Sequence, residues 1–289
     1  MKIVITGGKG MLGRTLQQVL AKHELVIADL PDWDITDAKG FLEKLAAAKA
    51  DAVIHCAAMT TVDKCESDID LAYKLNAVGS LNVANACRVC NTRLIAISTD
   101  YVFDGNLDRP YNEFDVAGGA QTIYGKSKFA GEEFIRTHCP NHLICRIAWL
   151  YGPGGPSFVH SMLKLADGSH PVLKVVSDQI GNPTSTFAVA RHIALLLERP
   201  ELCGTFHLTC EGEASWADFA KEIFRLAGIQ QEIQPCTTDE FPRPAPRPHN
   251  SRLEKRMLRL CNLPPTPDWH DALEEFIKLA MSNERLIRN

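Results

Sequence analysis

At 289 residues the chain is long enough for one large or two modest domains, and 45% hydrophobic with 23% charged residues is an ordinary globular composition. A net charge of −4 gives no electrostatic reason to expect nucleic acid or an anionic membrane surface as partner. No apolar run approaches the roughly 18 residues of a membrane span, and the start of the chain lacks the three-part signal-peptide pattern, so a cytoplasmic location is expected.

In chain order, KIVITG reads as a short buried strand, and MLGRTLQQVLAKH as a helix with Leu12, Leu16, Val19 and Leu20 at helical spacing. ELVIADL is a second strand, TDAKGFLEKLAAAKA a second helix with Phe41, Leu42 and Leu45 on one face, and DAVIHCAA a third strand. A long helix is expected from about Asp68 to Cys90, striped by Leu71, Leu75 and Val78. RLIAISTD, YGKSKFAGEEFIRTH and HLICRIAWLYG then read as strand, helix and strand. This alternation predicts an α/β fold: a doubly wound, Rossmann-like parallel sheet covered on both faces. After Tyr151 the rhythm changes. GPGGPS breaks the chain, SFVHSMLKLADG and TFAVARHIALLLERP read as helices, SDQIGNPTS as a loop between them, and GTFHLT as a strand. WADFAKEIFRLAG is helical, the proline-rich TTDEFPRPAPRPHNSR is a long loop, and WHDALEEFIKLAM closes as an amphipathic helix. Residues 1–150 are therefore expected to bind a dinucleotide, with elements returning to them from about 185–210. Residues 151–289 form mostly a smaller α/β substrate domain.

The chain has 10 cysteines, several on apparent core elements (Cys56, Cys145, Cys203). In a reducing compartment they read as small buried hydrophobes. Cys87 and Cys90 make a CxxC, but inside a helical pattern and without a second pair at zinc-site spacing.

TGGKGMLG, Thr6 to Gly13, follows a strand and opens a helix, the context a dinucleotide fingerprint requires. It fits GxGxxG through Gly8, Gly10 and Gly13, or GxxGxxG through Gly7, Gly10 and Gly13. Either way bare backbone N–H groups can approach a pyrophosphate at the positive end of a helix. Asp29, ending the second strand about 20 residues on, can accept from ribose hydroxyls. Asp34 in DITD is equally an adenine contact or, with Thr36, a helix N-cap.

Tyr124 and Lys128 in YGKSK lie one helical turn apart on one face, where an ammonium can assist proton donation by a phenol. Upstream, ISTDYVF ends a strand on Ser98, Thr99, Asp100 and Tyr101. Such a cluster can be a capped turn. In a doubly wound sheet, however, ligands bind outside the carboxyl ends of the strands, so the same cluster reads as part of an active site.

These stretches, with HCAAMTTVDKCE, AYKLNAVGSLNVA, STDYVFDG, RIAWLYG, SDQIGNPTS and APRPHNS, resemble the extended short-chain dehydrogenase/reductase superfamily. More narrowly they are similar to the dTDP-4-dehydrorhamnose reductase family along nearly the whole chain. The resemblance implies NADPH or NADH as cofactor and a nucleotide-sugar substrate whose 4-keto group is reduced. It implies Thr99, Tyr124 and Lys128 as the catalytic set. It puts Gly10, Met11 and Leu12 at the pyrophosphate, Asp34 and Ile35 near the adenine, and Ala57, Ala58 and Met59 along the cofactor. Asp100 and Trp149 would contact the sugar, Tyr101 and Phe103 would shape its pocket, and Arg247 is a candidate for the diphosphate. Asn76 matches an asparagine common in the superfamily, with a structural role first and a proton relay second. Magnesium follows from the resemblance only, because no local carboxylate cluster compels a metal. The oligomeric state stays open, a homodimer included. The pattern departs from the family where a proline-rich segment usually precedes the tyrosine helix; here Asp115-Val-Ala-Gly-Gly-Ala-Gln stands instead.

Two rival readings remain. A nucleotide-sugar epimerase or dehydratase would share the scaffold, although a dehydratase needs an acid/base pair such as Asp-Glu after the threonine, where Asp100-Tyr101 stands. A non-catalytic regulatory subunit of the methionine adenosyltransferase type would share the fold and motif style.

Overall fold

The computed structural model describes residues 1–282. Strand β1 (Lys2–Thr6) runs through the glycine turn into α1 (Met11–Val19), which buries Leu12 and Leu16. Strand β2 (Glu24–Ala28), α2 (Ala38–Ala48) and β3 (Ala52–His55) follow. Helix α2 is capped by Asp37, whose side chain accepts from Gly40 N at 3.0 Å. Asp34 is not the cap; its Oδ1 closes a local turn by accepting from Thr36 N and Oγ1, both at 2.8 Å.

The expected long helix is interrupted. It is built as α3 (Val62–Ser67), α4 (Ile69–Tyr73), a π-helical turn (Lys74–Val78) and α5 (Gly79–Val89). A π turn inserts an extra residue, so the side-chain phase rotates past it. Of the Leu71, Leu75, Val78 stripe, the two leucines pack, partly buried, against the cluster of Met59, Cys65, Ala72 and Tyr124, whereas Val78 is 42% exposed and the buried face past the turn is Ala77, Ser80, Val83 and Ala84. Cys87 on α5 is also buried, and burial pushes its thiol well up, so the CxxC offers no reactive thiolate there.

Strand β4 (Arg93–Thr99) ends in a 3₁₀ turn, Asp100–Val102, before α6 (Ile123–His138) and β5 (His142–Ile147). HLICRIAWLYG is not one strand. Trp149 adopts φ 47, left-handed backbone that a bulky side chain rarely takes, and Leu150–Tyr151 form a separate strand, β6. Then come α7 (Phe158–Leu165), β7 (Val172–Val176), β8 (Ile180–Gly181), β9 (Thr184–Ser185), α8 (Thr186–Leu197) and β10 (Gly204–His207). SDQIGNPTS thus carries two short strands where a plain loop was expected. The remainder is β11 (Ala214–Ser215), α9 (Trp216–Ala227), β12 (Glu232–Cys236), β13 (Asn250–Ser251), α10 (Arg256–Leu260) and α11 (Trp269–Ser282).

Six parallel strands form the central sheet in the order β10-β5-β4-β3-β1-β2. The order reverses beside β1, the doubly wound arrangement that opens a crevice at the carboxyl ends of the strands. Alternate residues serve opposite faces. Ile3, Ile5 and Ile95 pack under α1 and α8, whereas Val4, Leu94 and Ala96 pack against α2 and α5. Leu258 of α10 joins the same core as Phe206 of β10. A separate apolar cluster is built by Tyr151, Val159, Phe219, Ile223, Trp269 and Phe276. No described helix is long and apolar enough to cross a membrane.

Candidate active site

A cleft of about 940 Å³ opens at the carboxyl ends of β1, β3, β4 and β5. Gly7, Gly10, Met11, Leu12 and Gly13 form one wall. Gly7 has φ +66 and sits against the β3 end, where a Cβ would lie 2.7 Å from Ala57 N; a Cβ on Gly13 would lie 2.4 Å from Gly7 O. Gly8 instead packs on Ile27. The GxxGxxG reading through Gly7, Gly10 and Gly13 therefore describes the wall. At the start of α1 the first-turn N–H groups have no intrahelical acceptor. Donors at a positive helix end, with backbone open to close approach, fit the diphosphate of a dinucleotide. Gly13→Ala should lower stability by about 1–3 kcal/mol through overpacking. It should also weaken NAD(P)H binding in a fluorescence titration; unchanged affinity would show that the loop yields freely.

The opposite side of the floor is the β4 end. Thr99 is 4% exposed and donates from Oγ1 to Asp100 Oδ1 at 2.9 Å, while accepting from Tyr101 N at 3.3 Å. Tyr124 lines the same cleft as Thr99. The N-terminus of α6 presses directly onto this turn: a Cβ at Gly125 would lie 2.1 Å from Tyr101 O, so the glycine after Tyr124 sets the approach. The Tyr124 ring meets Tyr101 edge-on at 5.4 Å. Burial pushes the Tyr124 phenol well above its usual range, the nearby Thr99 hydroxyl opposing and the Asp100 charge adding. It is a phenol, not a phenolate, at neutral pH, the form that gives up a proton. Lys128 Nζ donates to Ile97 O at 2.8 Å. Burial lowers its pKa to about 8, with Glu132 and Cys56 working against that drop. An ammonium has three donors, so two remain for a ligand.

Asp100 is 5% exposed and its Oδ2 has no hydrogen-bond partner. Burial raises its pKa to about 6, although Ser251, Thr99 and backbone N–H groups favour the charged form. Behind the floor, Asn76 in the π turn accepts from Met59 N at 2.8 Å and donates to Met59 O and Ser127 Oγ. Its amide is fully used in tying β3 to α6, which is the structural role.

The far wall is aromatic. Trp149 stacks on Trp216 with centroids 3.5 Å apart and planes 8° apart, and Trp216 Nε1 donates to Gln179 Oε1 at 3.0 Å. The positive φ of Trp149 turns its indole out of β5 and into the cleft, over Gly181, where a Cβ would come within 2.4 Å of the ring. Arg247 lines the cleft too, but Nη2 donates to Asp63 Oδ2 at 2.9 Å and Nη1 to Ala245 O. Ala245 N donates back to Asp63, so the proline-rich segment is strapped to α3. Lys174 and Arg243 are further cations on this wall.

Among the expected residues, Ala57, Ala58, Thr99, Asp100, Tyr101, Tyr124, Lys128, Trp149 and Arg247 join the glycine loop in the cleft. Others stand apart. Phe103 does not shape the pocket: it is 3% exposed, stacked on Tyr111 at 4.3 Å and covered by the Arg146 guanidinium at 4.9 Å. The 3₁₀ turn rotates it into the core. Ile35 is buried beneath α5, and its carbonyl accepts from Asn82. Met59 is buried beside Tyr124. Asp29 ends β2 outside the cleft and accepts from Lys9 N at 2.7 Å, which ties it to the glycine turn. The atypical segment at Asp115 is an ordered rim held by Arg109, which burdens no cleft residue; Val116 there is 92% exposed. Sequence reasoning missed Trp216, Gln179, Ser251, Lys174 and Arg243. Gln179 and Ser251 lie inside SDQIGNPTS and APRPHNS, so a signal was present, whereas the tryptophan stack had none. Among the described residues no group of three or more His, Cys, Asp or Glu is arranged to hold a metal.

The model of the family described as RmlD substrate binding domain matches residues 1–282. The chain is 40% identical over 282 residues to dTDP-4-dehydrorhamnose reductase of Mycolicibacterium smegmatis, covering 96% of this chain and 85% of the relative. Among solved structures, a dTDP-4-dehydrorhamnose reductase from Clostridium acetobutylicum superposes with a TM-score of 0.94 at 46% identity, over 97% of this chain and 100% of that one. The dTDP-4-dehydrorhamnose reductase of Bacillus anthracis, in complex with NADP, superposes with a TM-score of 0.93 at 37% identity, over 96% and 99%. On a match that spans every described residue, the chain belongs to the RmlD substrate-binding-domain family.

Proposed function

We propose that the protein is an NAD(P)H-dependent oxidoreductase that reduces the 4-keto group of a dTDP-linked 6-deoxyhexulose, giving dTDP-L-rhamnose. The observation that supports this most is the convergence of Thr99, Tyr124 and Lys128 on one cleft between a dinucleotide-type glycine turn and an aromatic wall. Met11, Leu12 and Gly13 would hold the coenzyme diphosphate, Lys128 its nicotinamide ribose, and Asp29 its adenosine ribose. When bound, the dihydronicotinamide supplies the hydride. Tyr124 would give its proton to the developing alkoxide, and Thr99 would polarise the substrate carbonyl. Trp149 and Asp100 would contact the sugar. Residues 1–150, with the returning segment, act as the coenzyme half and residues 151–289 mostly as the substrate half.

The test is to supply dTDP-4-keto-6-deoxyhexulose and follow NADH and NADPH absorbance in parallel. Net consumption of reduced coenzyme is expected, which an epimerase would not give. Coenzyme binding without oxidation by any keto sugar would overturn the reading in favour of a non-catalytic role.

A further inference from the structure

We propose that Trp216 and Gly181 are positioning residues for the sugar: they clamp the Trp149 indole between them, so that the substrate hexose meets its N–H edge and not its face. The inference rests on the reductase reading above and adds two residue roles to it.

Both faces of the Trp149 ring are taken. Trp216 covers one, with centroids 3.5 Å apart and planes 8° apart, too close for a sugar ring to enter. The backbone of Gly181 covers the other. A Cβ there would lie 2.4, 2.7 and 2.8 Å from Cε2, Nε1 and Cδ2, three adjoining atoms of the indole, which sets it over the ring plane. No Trp216 atom comes as near to that point, so it does not lie between the stacked rings and belongs to the opposite face.

Both jaws come from one small sheet. Gly181 ends β8, which is flanked by β11 and β13. Antiparallel pairing of Ser215 with Ile180 brings Trp216, the next residue along, to Gln179. There Trp216 is fixed at its polar end: Nε1 donates to Gln179 Oε1, and Gln179 Nε2 donates on to Thr238 Oγ1, each at 3.0 Å.

Trp149 differs from an ordinary core tryptophan in two respects. Its backbone is held at φ 47, a conformation that costs free energy for a residue with a side chain and persists where the surroundings over-determine it. Its Nε1–H, unlike that of Trp216, makes no hydrogen bond among the described residues. An indole nitrogen only donates, so the group it awaits is an acceptor. Trp149 lines the cleft together with Asp100 and Tyr124, and a hexose oxygen is the acceptor the substrate brings to that end. Holding the ring in place beforehand removes the entropy cost of ordering it when the sugar arrives.

The experiment measures binding of dTDP-L-rhamnose and of dTDP by calorimetry to the coenzyme-loaded wild type, Trp149→Phe, Trp216→Leu, Trp216→Phe and Gly181→Ala. Trp149→Phe keeps an aromatic ring and loses the N–H; its Kd for dTDP-L-rhamnose should rise about tenfold, the worth of one hydrogen bond, with dTDP unaffected. Trp216→Leu and Gly181→Ala, which release or displace an intact indole, should lose a similar factor, and Trp216→Phe, which restores a stacked ring, should recover most of it. With the keto sugar the loss should appear in KM more than in kcat. The wild type should show the exciton couplet of two stacked indoles in circular dichroism, and Trp216→Leu should lack it. Coenzyme titration reports folding; should Gly181→Ala fail to bind, the two Trp216 variants decide. Unchanged dTDP-L-rhamnose affinity in Trp149→Phe or Trp216→Leu overturns the clamp, and so does an equal loss for dTDP, the mark of a collapsed wall. A wild type that binds dTDP-L-rhamnose yet never oxidises NAD(P)H with the keto sugar overturns the reductase reading, while the sugar comparison still decides the clamp. No affinity of the wild type for dTDP-L-rhamnose overturns both.

Discussion

Tyr124→Phe should fold, bind coenzyme with near-normal affinity and lose about 10²–10⁴-fold in turnover, the usual contribution of a positioned general acid. The ring is retained, so its edge-on contact with Tyr101 and its place beside Met59, Cys65 and Ala72 survive. Loss of the hydroxyl leaves Thr99 still donating to Asp100, so no buried donor is orphaned. The variant therefore separates chemistry from stability. A thermal midpoint within a few degrees of wild type together with undiminished turnover would remove Tyr124 from the mechanism. The raised phenol pKa fits this role in reduction, because the group stays protonated until charge appears on the substrate oxygen.

The parts of this site legible in the sequence are those set by local spacing. The glycine turn with Gly10 and Gly13 announces itself because a strand precedes it and an amphipathic helix follows, while spacing alone leaves Gly7 and Gly8 as alternatives. Tyr124 and Lys128 share a face because four residues make a helical turn. The sheet was readable for a similar reason: its strands are buried on both faces and show as apolar runs. What could not be read depends on backbone irregularity or on distant partners. A π turn shifted the phase of the helix before α5, so an aliphatic stripe counted at regular spacing ended exposed at Val78. A 3₁₀ turn after Thr99 sent Phe103 inward, although Asp100 and Tyr101 remained at the cleft. Arg247 was legible as a cation near an anion site, but its partner Asp63 lies far away in sequence, and no local pattern connects them. The indole stack of Trp149 needs a left-handed residue at the end of β5 and a helix start at Trp216, brought together only by the second core.

Glu132→Gln should be the most destabilising conservative change in the catalytic region, at about 3–5 kcal/mol, because it leaves a buried guanidinium without its counter-charge. Glu132 and Arg146 are each 2% exposed, joined by bonds of 2.9 and 2.7 Å, with Ser98 donating to the same carboxylate and Arg136 adding a further 2.7 Å contact. Arg146 Nη1 is already without a partner, so the pair has no spare acceptor to fall back on. Burial alone would raise the Glu132 pKa, but the Arg146 charge and its hydrogen bonds, then Arg136, outweigh it and hold the carboxyl down at about 2. A folded-state pKa below the unfolded value gives stability that is present above about 4.5 and is lost as pH falls through 2. A shift from 4.5 to about 2, to which Arg136 and Ser98 contribute beside Arg146, corresponds to about 3 kcal/mol. Urea unfolding at pH 7 and again near pH 2 checks the sign: the gap between wild type and E132Q should be wide at pH 7 and shrink in acid. Replacing both partners by apolar residues of similar size, Glu132→Leu with Arg146→Met, should restore much of the loss, since two charges no longer need to be desolvated. Because Glu132 sits one turn beyond Lys128 and helps keep it charged, that double variant should regain stability without regaining full turnover. Recovery of both together would show that the pair serves the fold alone.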